Sequence, residues 1–112
     1  MELRVYGHAE PGLPAAVELA AYRIAQEALT NAVRHSGGTH VDVELAVADR
    51  ERLTVRVVDD GIGLSGTEPL GFGIQSMRQR ARDVGGECAI RPGRSGGVVV
   101  TAMLPLHAVG VG

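Results

Sequence analysis

The stretch from Tyr22 to Ser36, YRIAQEALTNAVRHS, constrains this chain more than any other. On a helix of about 3.6 residues per turn, positions four apart lie only about 40° round from one another, so Glu27, Asn31 and His35 form one polar stripe. Ile24, Ala25, Ala28, Leu29 and Ala32 occupy much of the remaining circumference, so the stripe is cut into a helix that otherwise reads as buried. Such a helix needs an apolar layer to lie on and partners for its polar groups. A carboxylate, a carboxamide and an imidazole at this spacing admit two readings. They form a structural hydrogen-bond network satisfied by neighbours, or the wall of a site holding a metal and phosphates.

The rest of the chain supplies the layer. Glu2 to Tyr6 alternates weakly and stops at Gly7, a short strand followed by the loop HAEPGLP. Pro14 suits a helix start, where its missing N–H costs nothing, and the helix is expected to run to about His35 before Ser36-Gly37-Gly38 ends it. His40 to Ala48 places Val41, Val43, Leu45 and Val47 on one face and Asp42, Glu44 and Ala46 on the other, the mark of a half-buried strand. After the polar turn Asp49 to Arg52, Leu53, Val55 and Val57 resume the alternation up to Val58, which predicts an antiparallel hairpin. Leu64 to Leu70 has no period and reads as a loop closed by Gly71-Phe72-Gly73. Ile74, Met77, Ala81 and Val84 share a helical face, with Arg78, Arg80 and Arg82 turned to solvent and Gly85-Gly86 as the stop. Glu87 to Arg91 and Val98 to Leu106 are the last strands, and the tail from His107 reads as frayed. The order strand, helix, strand, strand, helix, strand, strand predicts an α+β fold: a two-layer α/β sandwich whose mixed, mostly antiparallel sheet carries its helices on one face.

With 112 residues the chain is one domain, 1–112, long enough to bury a core without staples. Its net charge of -2 provides no basic field, which argues against direct nucleic-acid binding. Cys88 is the single cysteine, so no intrachain disulfide forms; a structural thiol in a reducing, cytoplasmic compartment is the expectation. No apolar run approaches the ~18 residues of a membrane span, and Met1 to Arg4 does not begin a signal peptide. The pattern suits a soluble domain, compatible with being one part of a longer protein.

Two short motifs carry chemistry. DDGIG, from Asp59 to Gly63, falls at a strand end, where Asp-Gly is a common turn signal. The alternative is a nucleotide contact: a carboxylate only accepts hydrogen bonds, so Asp59 suits the exocyclic amine of adenine and rejects guanine, while Gly61 and Gly63 leave room for a ligand against the backbone. GFG, from Gly71 to Gly73, opens a helix whose unpaired N–H groups and dipole suit a phosphate. The chain contains no lysine, so a GxxxxGK[ST] phosphate loop is excluded.

Taken in order, these motifs give the chain its resemblance to the catalytic ATP-binding domain of bacterial sensor histidine kinases, within the GHKL ATPase superfamily and in its nitrate-sensor and desaturase-sensor branch. The N box of that branch, roughly YRIxQEALTNxxRH, is matched by Tyr22 to His35; the first glycine box DxGxG by Asp59, Gly61 and Gly63; the second, GxG, by Gly71 and Gly73. MRQRARDVGG, from Met77 to Gly86, and the terminal Leu104-Pro105 are similar to the same branch.

The resemblance implies a GHKL ATPase fold, with ATP and Mg²⁺ as cofactors and Asn31 offering its amide oxygen to the metal. It implies that Glu27 orients or deprotonates the attacking group, that Arg34 and His35 lie near the phosphates, and that residues 64–70 form a short lid over the nucleotide. The implied partners are a dimerisation domain carrying the phosphoacceptor histidine and, through it, a response regulator. Where the family commonly reads Gly-Thr, this chain reads Gly97-Val98, which removes a hydroxyl from the phosphate region. His8, His35, His40 and His107 lack the His-Asp/Glu context of an acceptor. Two other functions compete: an anti-sigma-type GHKL serine kinase, and a non-catalytic ATP-binding module. YRIAQEALTN favours the histidine kinase.

Overall fold

The computed structural model describes residues 2–7, 13–48, 50–62, 73–94 and 96–106. In chain order the elements are β1 (Glu2–Gly7), α1 (Ala15–Asn31), a π turn (Ala32–Ser36), β2 (His40–Ala48), β3 (Arg52–Asp59), α2 (Ile74–Asp83), β4 (Glu87–Pro92) and β5 (Val98–Pro105). They form the expected two layers. The sheet order is β1-β2-β3-β5-β4; β1 runs parallel to β2 because α1 carries the chain back between them, and the other pairs are antiparallel.

Strand alternation decides which side faces the helices. Val43, Val57 and Val100 lie in one register row, with Val55 and Ala102 in the next and Leu53 and Leu104 beyond; all are buried. Against them α1 lays Val17, Ala20, Ala21, Ile24 and Ala28, followed by Ala32, and α2 adds Met77 and Ala81. Alanines make up most of the α1 contribution, so its backbone lies close over the strands. These residues form one core cluster. Among the described residues no helix is long and apolar enough to cross a membrane.

The first helix departs from expectation at its end. The α-helix stops at Asn31, and residues 32–36 continue as a wider π turn, closed by Gly37 in the left-handed region with φ 66°. A π turn spends more residues on each revolution, so the four-residue spacing holds for Glu27 and Asn31 while the backbone at His35 leaves that line. The second helix ends at Asp83, one residue short of expectation, with Gly73 at its start at φ 64°.

Leu104 is fully buried near the end of β5. Leu104→Ala is expected to cost about 2–5 kcal/mol by urea unfolding with an unchanged m value, the range for a deleted core leucine that leaves a cavity.

Candidate functional site

Of the sequence-predicted residues, Glu27, Asn31, Asp59, Gly61 and Gly73 gather at one end of the sandwich, where β2 begins, β3 ends, β5 begins and α2 starts. Three close backbone approaches assemble this rim. At the first, the Glu27 carboxylate lies against Gly73, so that a Cβ there would collide with it. That contact joins the helix carrying the polar stripe to the glycine that opens α2. Among the described residues no side chain caps α2, so the N–H groups of its first turn lie beside Glu27 without a cap. Asn31 sits one turn further along α1, with its Oδ1 buried.

At the second approach, Gly97 lies against the end of β3. A Cβ at Gly97 would strike the Asp59 carbonyl, and its φ of 75° is one that side chains disfavour. Asp59 is the buried acidic residue of this rim, 7% exposed, and its Oδ1 accepts a hydrogen bond from the Gly61 N–H at 2.9 Å. The bond is an Asx turn, so the local turn chemistry of Asp-Gly is realised. Because the carboxylate also faces the helices, its second oxygen remains an acceptor at the edge of the core. The Gly97-Val98 segment thus contributes through its glycine, whatever the loss of the hydroxyl.

The third approach holds a residue that the motif reading passed over. Asp60 follows Asp59 directly but lies outside the strand, and its carboxylate gathers the segment leaving the π turn. Oδ1 accepts from the N–H groups of Thr39 at 2.8 Å and His40 at 2.9 Å, and Oδ2 accepts from the Thr39 hydroxyl at 2.8 Å and lies 3.2 Å from His40 Nδ1. Gly38 packs so closely on Asp60 and the Gly61 nitrogen that a side chain would not fit. The exit of the N-box helix is thereby fastened to the first glycine box. These bonds, led by the His40 N–H and the Thr39 hydroxyl, hold the Asp60 carboxyl well below its ordinary pKa of 3.8. The sequence signal was the doubled aspartate: two adjacent acids at a strand end point to different sides.

Other expected residues stand apart or lie beyond description. Arg34 is exposed and lines a groove on the solvent side of α1 with Tyr22, Leu29 and Val33. The side chain of His35, together with Gly63, Gly71 and the lid at 64–70, lies outside the described residues. Gly61 and Gly73 are both at the rim.

A sheet covered on one side, with an acid at a strand end and a glycine-led helix beside a polar helical stripe, defines an ATP-binding sandwich of the GHKL kind. The chain belongs to the histidine kinase-, DNA gyrase B- and HSP90-like ATPase family, whose model matches residues 16–108. It is 34% identical over 106 residues to the sensor histidine kinase YxjM of Bacillus subtilis (strain 168), covering 95% of this chain and 26% of that protein. It is 36% identical over 97 residues to the sensor protein VraS of Staphylococcus aureus (strain COL), covering 85% of this chain and 28% of that one. The ATP binding domain of PrrB from Mycobacterium tuberculosis superposes with a TM-score of 0.65 at 26% identity, over 96% of this chain and 81% of that one. The chain therefore spans about a quarter of the length of the curated relatives it matches.

A carboxyl whose pKa is depressed by folding contributes stability above its ordinary value, and that contribution is lost as pH falls toward the folded value. Asp60→Asn is accordingly expected to flatten the acid limb of a stability profile measured by urea midpoints between about pH 2 and pH 7. The wild type should lose stability below its ordinary 3.8 more steeply than the variant.

Proposed function

We propose that this chain is a single ATP-binding catalytic domain that binds Mg-ATP at the rim and passes the γ-phosphoryl group to a histidine on a companion dimerisation domain. The observation that carries the reading is the contact of Glu27 with Gly73, which sets a carboxylate beside the open N-terminus of α2. A general acid or base and an anion cradle are thus side by side. The N-box wording, YRIAQEALTN, supports placing the chain in the nitrate-sensor and desaturase-sensor branch.

In this reading Asp59 accepts the adenine amine with the oxygen that its turn leaves available, and Gly61 and Gly97 admit the nucleotide to the backbone. The first-turn N–H groups of α2 receive phosphate oxygens. Asn31 offers a hard amide oxygen, the donor class that Mg²⁺ takes, and its buried Oδ1 suits that role. Bound Mg²⁺ supplies neutralisation of the phosphate charge. Arg34 and His35 complete the phosphate side, with residues 64–70 as the lid. Glu27 orients the attacking imidazole and accepts the proton from its other ring nitrogen, as the unprotonated nitrogen forms its bond to phosphorus and the bond to ADP breaks. The phosphorylated histidine then serves a response regulator, and the domain works on the cytoplasmic side. The relatives' names, a sensor histidine kinase among them, support this assignment.

Asn31→Ala is expected to remove most Mg²⁺-dependent ATP binding in titration calorimetry while leaving the unfolding midpoint little changed; equal affinity in both proteins removes the metal role. Asp59→Asn should weaken ATP binding by about 1.5–3 kcal/mol and narrow the preference for ATP over GTP, because a carboxamide presents a donor where only an acceptor fits. The chain alone should not label itself with γ-phosphate but should label the matching dimerisation-histidine domain supplied in trans, acid-labile as phosphohistidine. Glu27→Gln should lower that transfer more than it lowers ATP affinity. Acid-stable label would instead select serine as the acceptor.

A further inference from the structure

Both helices pack on one side of the sheet, and no described element covers the other. Across that outer face the register aligns Arg4, Asp42, Val58, Val99 and Arg91, one residue from each strand in the order β1-β2-β3-β5-β4. This row lines a groove of about 630 Å³, joined by Arg56 from the neighbouring row and Arg94 from the turn between β4 and β5. Four strand spacings of ~4.8 Å make the row about 19 Å long, the reach of about six extended residues.

The charges along the groove are not equivalent. Arg4 bonds Asp42 at 2.8 Å and Arg56 approaches Glu44 at 3.4 Å, so the cations on β1 and β3 already face carboxylates. Asp60, with its bonds to Thr39 and His40, adds a further negative charge on that side. Arg91 and Arg94, at the β4 end, have no ion-pair partner among the described residues. Between the two ends Val58 and Val99 are only half-buried and present apolar surface at mid-row. The groove thus reads as a matched, acid-repelling end, an apolar middle and an unmatched basic end.

We propose that this outer face docks an extended acidic segment of a partner protein, with its carboxylates on Arg91 and Arg94 and an apolar side chain over Val58 and Val99. A small phosphorylated anion would use only the basic end and leave the valines uncovered. A nucleic acid backbone would meet Asp42 and Asp60 on a chain of net charge -2. The acids at one end fix the direction in which the segment lies, since its own carboxylates are repelled there. The groove also reaches Asp59 and Asp60 at the rim, but the docking residues Arg91, Arg94, Val58 and Val99 carry none of the Glu27, Asn31 and Asp59 roles assigned above, so ATP titration of their variants distinguishes docking from nucleotide binding.

The test uses the isotope-labelled 112-residue chain and a capped hexapeptide with two glutamates at one end and valines in the middle. Saturable shifts of the Val58, Val99 and Arg91 amides are expected, weakened by added salt and by at least about fivefold in the double variant Arg91→Glu, Arg94→Glu. ATP binding by that variant should match wild type. If the double variant fails to fold, Arg94→Gln, at an exposed position, should give a smaller loss in the same titration. Absence of outer-face shifts, shifts indifferent to these substitutions, or binding only of anionic vesicles or single-stranded DNA offered in parallel would each overturn the proposal.

Discussion

Glu27 reaches the start of α2 because Gly73 carries no side chain and because alanines let α1 lie close over the sheet. A bulkier apolar residue at Ala20, Ala28 or Ala32 would lift α1 and draw the polar stripe away from the glycine, since cores tolerate little added volume. The same economy of atoms recurs where Gly38 packs on Asp60 and where Gly97 packs on Asp59. The site is therefore built by backbones brought together at the ends of elements, with few side chains reaching into it.

The two aspartates at the end of β3 show how one sequence position can change the work a carboxylate does. Asp59 continues the inward alternation of Val55 and Val57, so it is buried against the helix side and limited to one local hydrogen bond among the described residues. Asp60 has left the ladder and is exposed, and it spends both oxygens on Thr39 and His40. A ligand-binding acid needs an oxygen in reserve, whereas a structural acid is stabilised by filling both. The difference in partners makes Asp60 a fastening between the N-box exit and the first glycine box, with Asp59 held in place beside it.

Most of the fold was legible because its signals are local and periodic. Alternation in 40–48 and 53–58 gave both the hairpin and the side that faces the helices, and Gly37 and Gly73 mark helix ends through conformations that glycine adopts readily. The π turn was not legible, because nothing in AVRHS distinguishes a wider turn from a continued α-helix, and its cause lies in how the helix end meets the sheet. In the candidate site, Glu27 and Asn31 were visible as a spacing pattern, and Asp59 and Gly73 through the short motifs DDGIG and GFG. The latch at Asp60 was hidden, since its partners Thr39 and His40 are about twenty positions away and carry no motif of their own.

Strands β3 and β5 serve both faces of the sheet with consecutive residues. Val57 and Val100 are buried in the core, their neighbours Val58 and Val99 form the outer apolar patch, and the next residue of β3 is Asp59. A strand is stiff across so short a span, because each residue is fixed by ladder hydrogen bonds on both sides, so restraint applied at Val58 and Val99 is carried into the backbone that positions Asp59 and Gly97. Substitutions there must satisfy two surfaces at once. Arg91 on the edge strand β4 carries no such double duty, and Arg94, though in the turn that also holds Gly97, is exposed and makes none of the rim hydrogen bonds, so charge reversal at the two bears on the outer face rather than on the proposed nucleotide contacts.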